Sequence, residues 1–276
     1  MRKSLRIAIL DLYKGSENQG MRCLRELIEN FGKTNNFDIT LDEFEVRASN
    51  QIPNLDHDIY ISSGGPGSPI EDDGSNWEEL YFNWIAAVID FNKDKNNKFK
   101  KNVFFICHSF QLACRFFGIA EVKKRKSTSF GIFPVHFANN EINDNVLRGL
   151  SDPFYAVDNR DYQVVNPDYK KMHNSGSTVL AIEKDRPHVN LERAIMAIRF
   201  NEHMIGTQFH PEGDVKGMLQ YLQSEEKKKI IIENHGEQKW DSMMEQLNDP
   251  DKIIMTYAKV IPNFLIQSTK DFINIQ

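Results

Sequence analysis

The run Val103-Phe104-Phe105-Ile106 is a buried-strand pattern that stops at Cys107 and passes almost at once into Gln111-Leu112-Ala113-Cys114-Arg115-Phe116-Phe117, an apolar helix pattern closed by Gly118. Few backbones accommodate a strand that turns directly into a helix. The turning residue sits at the tip of a sharp bend, with its side chain exposed above the helix N-terminus. Here that residue is a cysteine. Peptide dipoles at a helix N-terminus favour negative charge, and the thiolate is the attacking form of a cysteine.

The surrounding chain fits an α/β plan. Arg6 to Leu12 reads as a strand and Glu17 to Phe31 as a helix with Met21, Leu24, Leu27, Ile28 and Phe31 on one face. Phe37 to Val46 and Asp58 to Ile61 read as strands, and Trp77 to Phe91 as a long amphipathic helix. Alternation of this kind predicts a mostly parallel central sheet flanked by helices, flavodoxin-like, with ligands beyond the C-terminal strand ends. From Ser129 to Phe200 strand patterns dominate: Phe130 to Phe137, Phe154 to Val157, Thr178 to Ile182 and Ala194 to Phe200. Turn signals at Asn174-Ser175-Gly176 and Arg186-Pro187 separate them and predict an antiparallel flank. The lysine-rich stretches 93–101 and 123–126 read as solvated loops. Beyond residue 213, apolar clusters at Met218, Leu219 and Leu222, at Ile230 to Ile232, at Met243, Met244 and Leu247, and over Ile253 to Ile266 predict three or four helices. The expected organisation is one domain over 1–213, with a C-terminal helical extension over 214–276 packed on it.

Two further segments complete a catalytic constellation with Cys107. Met204 to Phe209 is a strand pattern ending in His210-Pro211-Glu212. On a strand, residues i and i+2 share a face, so Glu212 is placed to accept the second N–H of His210 and fix its tautomer. Cysteine, histidine and acid in that relation are a triad by role. Gly64-Gly65-Pro66-Gly67-Ser68-Pro69 follows the Asp58 to Ile61 strand. Glycines adopt φ > 0 and turn backbone N–H groups toward a ligand, so an N–H of this loop and that of His108 can converge on an oxyanion. Gly-Pro turns often merely connect elements; the position of this one, between a strand and a helix, sets it apart.

Composition narrows the field. With 34 basic against 39 acidic residues and a net charge of −5, the chain lacks the basic footprint of nucleic-acid binders. Cys23, Cys107 and Cys114 make an odd count with no Cys-x-x-Cys pair, which argues against a disulfide framework and for a reducing, cytoplasmic location. Leu5 to Leu10, interrupted by Arg6, is too short and charged for a secretory segment, and no apolar run is long enough for a bilayer. His57, His136, His173, His188, His203 and His235 show no ligand spacing, so neither a metal nor a cofactor is expected.

Taken together, the strand with its Gly-Gly-Pro-Gly-x-Pro loop, the cysteine elbow with Gln111 four residues later, and Gly206-x-Gln208-Phe209-His210-Pro211-Glu212 resemble the class I (triad) glutamine amidotransferases. Stand-alone relatives of the GMP synthase glutaminase domain are the nearest match in motif order, over roughly the first four-fifths of the chain. The resemblance implies Cys107 as nucleophile, His210 as base, Glu212 as its orienter, Gly65 and His108 as oxyanion donors, and Gly67 and Gln111 as substrate contacts. The chain departs from the family at Phe105 and Ser109, where the family has glycine, which implies either a reshaped pocket or a less strained elbow. The segment Val157 to Val164 stands where the family holds the α-substituents of glutamine, and it places Arg160 as a carboxylate contact, or equally as a salt-bridge partner of Asp158 or Asp161.

The leading expectation is therefore a glutaminase serving a separate synthetase, since no Gly-x-x-x-x-Gly-Lys-Ser/Thr motif is present to activate an acceptor. A γ-glutamyl amide or peptide hydrolase, or a homoserine-type acyltransferase, would use the same elbow. A non-catalytic scaffold on this fold is the third reading. The extension could serve as a lid, a homodimer surface or a partner dock, or simply pack on its own domain.

Overall fold

The computed structural model describes residues 3–16, 18–71, 74–139, 143–187, 190–223 and 225–273. Glu17, His188 and the side chains of Ile230 and His235 lie outside the described residues. The strands are β1 (Lys3–Asp11), β2 (Phe37–Glu45), β3 (Ile59–Ser62), β4 (Asn102–Ile106), β5 (Glu121–Phe137), β6 (Phe154–Val165), β7 (Thr178–Glu183), β8 (Ile195–Asn201) and β9 (Met204–Thr207). The helices are α1 (Gln19–Asn35), α2 (Val46–Ser49), α3 (Trp77–Lys93), α4 (His108–Phe117), α5 (Tyr169–Ser175), α6 (Val215–Gln223), α7 (Glu225–His235), α8 (Glu237–Asn248), α9 (Pro250–Ser268) and α10 (Lys270–Ile273).

Among the described residues the strands form one sheet in the order β2-β1-β3-β4-β9-β8-β7-β5-β6. Pairing from β2 through β9 is parallel, and pairing from β9 to β6 is antiparallel. The parallel strands are near-continuous apolar runs because both of their faces are covered. Leu5, Ile7, Ile9, Ile59, Ile61, Phe104 and Ile106 pack toward α1 and α9, while Ala8, Leu10, Tyr60, Val103 and Phe105 pack toward α3 and α4. Helix α1 starts where Asn18 accepts the Met21 N–H at 2.8 Å and ends at Asn36, which takes the left-handed conformation.

Several expectations change. Residues 123–126 are not a loop: β5 runs from Glu121, and its first part pairs with the end of β6 before an irregularity between Lys124 and Ser129. Strand β6 extends to Val165 and not only to Val157, so the segment Val157 to Val164 lies on a strand. The short helices α2 and α5 were not foreseen, and the region after 213 holds five helices among the described residues, not three or four. Its helix α9 contributes Val260, Ile261, Phe264 and Leu265 to the same apolar cluster as Phe104 and Ile106. Helices α6, α7 and α8 build a smaller cluster over Ile132 and Val157. Among the described residues no helix is long and apolar enough to cross a membrane.

Candidate active site

Cys107 follows β4 with φ of 49° and ψ of −97°, a strained conformation for a residue with a Cβ, worth on the order of 1–3 kcal/mol. Its N–H donates to Thr207 O at 2.7 Å, and its carbonyl accepts the Gln111 N–H at 3.0 Å, which closes the first turn of α4 at His108. The two positions that depart from the family pattern explain how the elbow is held. The Ser109 hydroxyl accepts the Ile106 N–H at 2.7 Å and lies 2.8 Å from Ser62 O and 3.0 Å from Ile106 O, so it ties β4 to the end of β3. Phe105 packs edge-on against Phe200, and room for it comes from the neighbouring strand. A Cβ on Gly206 would lie 3.0 Å from the Phe105 Cβ and 2.8 Å from the Phe110 ring. The elbow is strained, and its neighbours are repacked around it.

His210 reaches this elbow by leaving the sheet. Its N–H pairs with Val157 O at 2.8 Å on the open edge of β6, and Gly213 N–H returns to His210 O at 3.2 Å, so residues 210–213 are a turn. Glu212 therefore meets His210 through that turn and not through strand alternation; Nδ1 lies 2.8 Å from Glu212 Oε1. The other ring nitrogen is not engaged by Glu212, and Cys107 is the second group that acts electrostatically on the ring. Burial disfavours the imidazolium, but Glu212 and Cys107 outweigh it and hold the His210 pKa well above the ordinary histidine value. Gly64 has no room for a side chain here: its Cβ would lie 2.8 Å from His210 Cε1 and 3.5 Å from the Cys107 Cβ.

The raised pKa has a consequence for stability. A proton bound more tightly in the folded state stabilises it fully below the unfolded value near 6.5, and the contribution is lost as pH rises through the higher folded value. The melting temperature of the wild type is thus expected to fall from pH 6.5 into the alkaline range, with a shallower fall in Glu212→Gln. Parallel melting curves of the two proteins across that range would sink the assignment.

The other residues picked from sequence divide. Gly65 lies against β1, where a Cβ would meet Leu12 O at 2.3 Å, and Gly67 has φ of 90° beside the Arg47 guanidinium. The His108 side chain is buried near Trp77, and burial, then Arg47 and Arg115, push its pKa down to about 3, so it is neutral. Only its backbone faces the elbow task. Gln111 Nε2 donates to Gln208 Oε1 at 3.1 Å and Tyr162 O at 3.3 Å, and Gln208 Nε2 lies 3.6 Å from Cys107 Sγ.

Arg160 is not brought to the site. Its side chain, 1% exposed, bonds Asp158 through Nε at 2.9 and 3.0 Å and Glu183 through Nη2 at 3.3 Å. Side chains alternate along a strand, so Arg160 leaves the face opposite to Asn159, whose carbonyl accepts from the Cys107 thiol at 3.7 Å. Arg160→Met is expected to cost about 3 kcal/mol by breaking a buried ion pair, while the KM of the folded fraction stays unchanged. Urea unfolding alongside steady-state kinetics separates the two effects, and a large KM increase would return Arg160 to the site.

Residues to which the sequence reading gave no role complete the picture. Asn159 and Gln208 flank the thiol, and the Tyr13 hydroxyl lies near Gly64 and Gly20, next to Glu212. Burial, then Glu212 and Cys107, keep Tyr13 a phenol. A cleft of about 570 Å³ opens beside His210 and Glu212, bounded by Tyr13, by Gln19 and Cys23 near the start of α1, by Val157 and Asn159 of β6, by Asp214, and by Met218 of α6. Burial and then Asp214 push the Cys23 thiol up to about 12, and burial raises Cys114 well above its ordinary value. Neither competes as a thiolate. Among the described residues no three His, Cys, Asp or Glu side chains are placed to hold a metal ion.

Comparison with known proteins agrees with this geometry. The class-I glutamine amidotransferase family matches residues 15–228, a span that holds the glycine loop, the elbow and His-Pro-Glu, and that runs past residue 213 into α7. A glutamine amidotransferase from Thermotoga maritima superposes with a TM-score of 0.67 at 12% identity, over 96% of this chain and 98% of its own. A candidate GMP synthase subunit from Thermoplasma acidophilum gives 0.50 at 20% identity, over 76% of this chain and 85% of its own. The glutaminase domain of Trypanosoma brucei CTPS with bound acivicin gives 0.54 at 13%, over 75% and 86%. At such identities the likeness is one of fold. No curated protein matches in sequence. The family match over most of the chain, on a fold shared with solved amidotransferases, shows that the chain belongs to the class I glutamine amidotransferases.

Proposed function

We propose that this chain hydrolyses the side-chain amide of glutamine through Cys107, His210 and Glu212. The observation that carries the reading is His210, fixed through Nδ1 by Glu212 at 2.8 Å and brought, across Gly64, to a cysteine at a positive-φ elbow. Cys107 Sγ attacks the amide carbon, and the Gly65 and His108 N–H groups receive the oxyanion. His210 hands the proton taken from the thiol to the leaving nitrogen, and ammonia departs. The γ-glutamyl thioester left on Cys107 is then attacked by water, whose proton goes to His210, and glutamate is released. In this reading Gln111 acts by orienting Gln208 beside the thiol, and Gly67 keeps the loop turned toward the substrate. With Arg160 engaged elsewhere, the sequence-based motive for a different carboxylate substrate loses its main support.

Incubation with 6-diazo-5-oxo-norleucine, a reactive glutamine mimic, followed by peptide mapping, tests this directly. The expected result is one adduct on Cys107 that excess glutamine suppresses; absence of an adduct, or labelling of Cys23 instead, overturns the assignment. The released ammonia is assigned to a separate synthetase, which a pull-down with the intact chain would recover.

A further inference from the structure

We infer that Ser63 is a positioning residue for the oxyanion site, acting through the Gly64–Gly65 peptide; the inference rests on the glutaminase reading above. Ser63 is buried at the end of β3, between β1 on one side and β4 on the other. Its N–H continues the ladder to Leu10 O at 2.9 Å. Its hydroxyl accepts the Leu12 N–H at 2.9 Å and donates to Gly64 O at 2.8 Å. The lone proton and a lone pair of this hydroxyl are therefore both committed, and they fix the Gly64 carbonyl beside the end of β1.

A trans peptide is planar, with its C=O and N–H pointing in opposite directions. Holding Gly64 O toward β1 therefore aims the Gly65 N–H the other way, toward β4 and Cys107. Gly64 lies against both Cys107 and His210, so this peptide borders the reacting atoms. The close approach of Gly65 to Leu12 O leaves no room for the loop to drift toward β1. Without the hydroxyl, both Leu12 N–H and Gly64 O lose a buried partner, and rotation of the peptide to recover one turns the Gly65 N–H away from the oxyanion.

A hydrogen bond aimed at an oxyanion is stronger in the transition state than in the ground state, so its misalignment lowers kcat and leaves KM nearly untouched. The test is glutamine hydrolysis by wild type, Ser63→Ala and Ser63→Thr, each normalised to the fraction of sites labelled by 6-diazo-5-oxo-norleucine at completion, so that misfolded protein is not counted. For Ser63→Ala the per-site kcat is expected to fall about tenfold to a hundredfold with KM within about threefold, a partial form of deleting an oxyanion donor. Ser63→Thr, which keeps the hydroxyl, is expected to recover most of it. An unchanged per-site kcat in Ser63→Ala, or a loss that threonine does not rescue, overturns the inference while the glutaminase reading stands. A wild type that neither hydrolyses glutamine nor takes the label overturns both.

Discussion

Cys107→Ala is expected to lower glutamine hydrolysis by about 10⁴-fold or more, the scale on which loss of a nucleophile acts when the rest of the machinery survives. Nothing else within reach replaces it: the Cys23 thiol is pushed up to about 12, and Cys114 is fully buried on α4. The same position makes a second, opposite demand. At φ of 49° any residue with a Cβ carries strain, so Cys107→Gly is expected to be as inactive as the alanine variant, yet more stable than it by about 1 kcal/mol. Ammonia release and urea denaturation on the two variants give both answers. Retained turnover in Cys107→Ala would end the proposed mechanism; a less stable Cys107→Gly would mean that the elbow stores no strain.

Phe264→Ala in the C-terminal region is expected to cost about 3–5 kcal/mol, as for other buried large-to-small changes at an aromatic. Phe264 meets Phe104 edge-on with 5.2 Å between ring centroids, and Phe104 lies on β4 three residues before Cys107. Val260, Ile261 and Leu265 bury the same face of α9 against the sheet. The helix thus closes one side of the main core, and a chain cut after Asp249 is expected to be insoluble, not merely less active. Equilibrium unfolding of Phe264→Ala checks the first statement. A loss under about 1 kcal/mol would show α9 to be an appendage resting lightly on a self-sufficient domain.

The parallel half of the fold was legible because its strands are apolar on both faces and its helices carry one clean apolar stripe. The antiparallel flank was legible in its four strand segments too, but the first part of β5 and the continuation of β6 to Val165 were not. The first part of β5 has lysines and exposed side chains on both faces, so it shows no period of two. Its strand identity comes from pairing with β6 and from contacts such as Arg125 with Gln163 at 2.7 Å and Lys123 with Glu192 at 2.8 Å, which local pattern does not encode. Cys107, His210 and Glu212, grouped from sequence because they stand in motifs that follow strands, are brought together in the structure. For Arg160 the sequence left a carboxylate contact and a salt bridge with Asp158 or Asp161 open, because a segment does not reveal which face of a strand meets the ligand; the structure shows the pair with Asp158. Ser63 and Asn159 escaped notice because they act through a hydroxyl bridge and a backbone carbonyl, which leave no signature in residue type.

Strand β6 touches two chemistries at once. Its Val157 and Asn159 carbonyls, two residues apart and so on the same edge, meet His210 and Cys107, while Asp158 and Arg160 build the ion-pair network on the strand. Both depend on the pairing of Ser129 with Arg160 and Phe130 with Asn159, set just after the irregularity in β5. A slip of one residue there would exchange the two roles, putting a guanidinium where an amide side chain borders the cleft and turning the Asn159 carbonyl toward β5. The residues between Lys124 and Ser129 can absorb a change in length without altering that alignment; the residues after them cannot. Insertions and deletions in this hairpin thus fall into two classes, divided at Ser129, of which only the second rewrites the chemistry of the cleft.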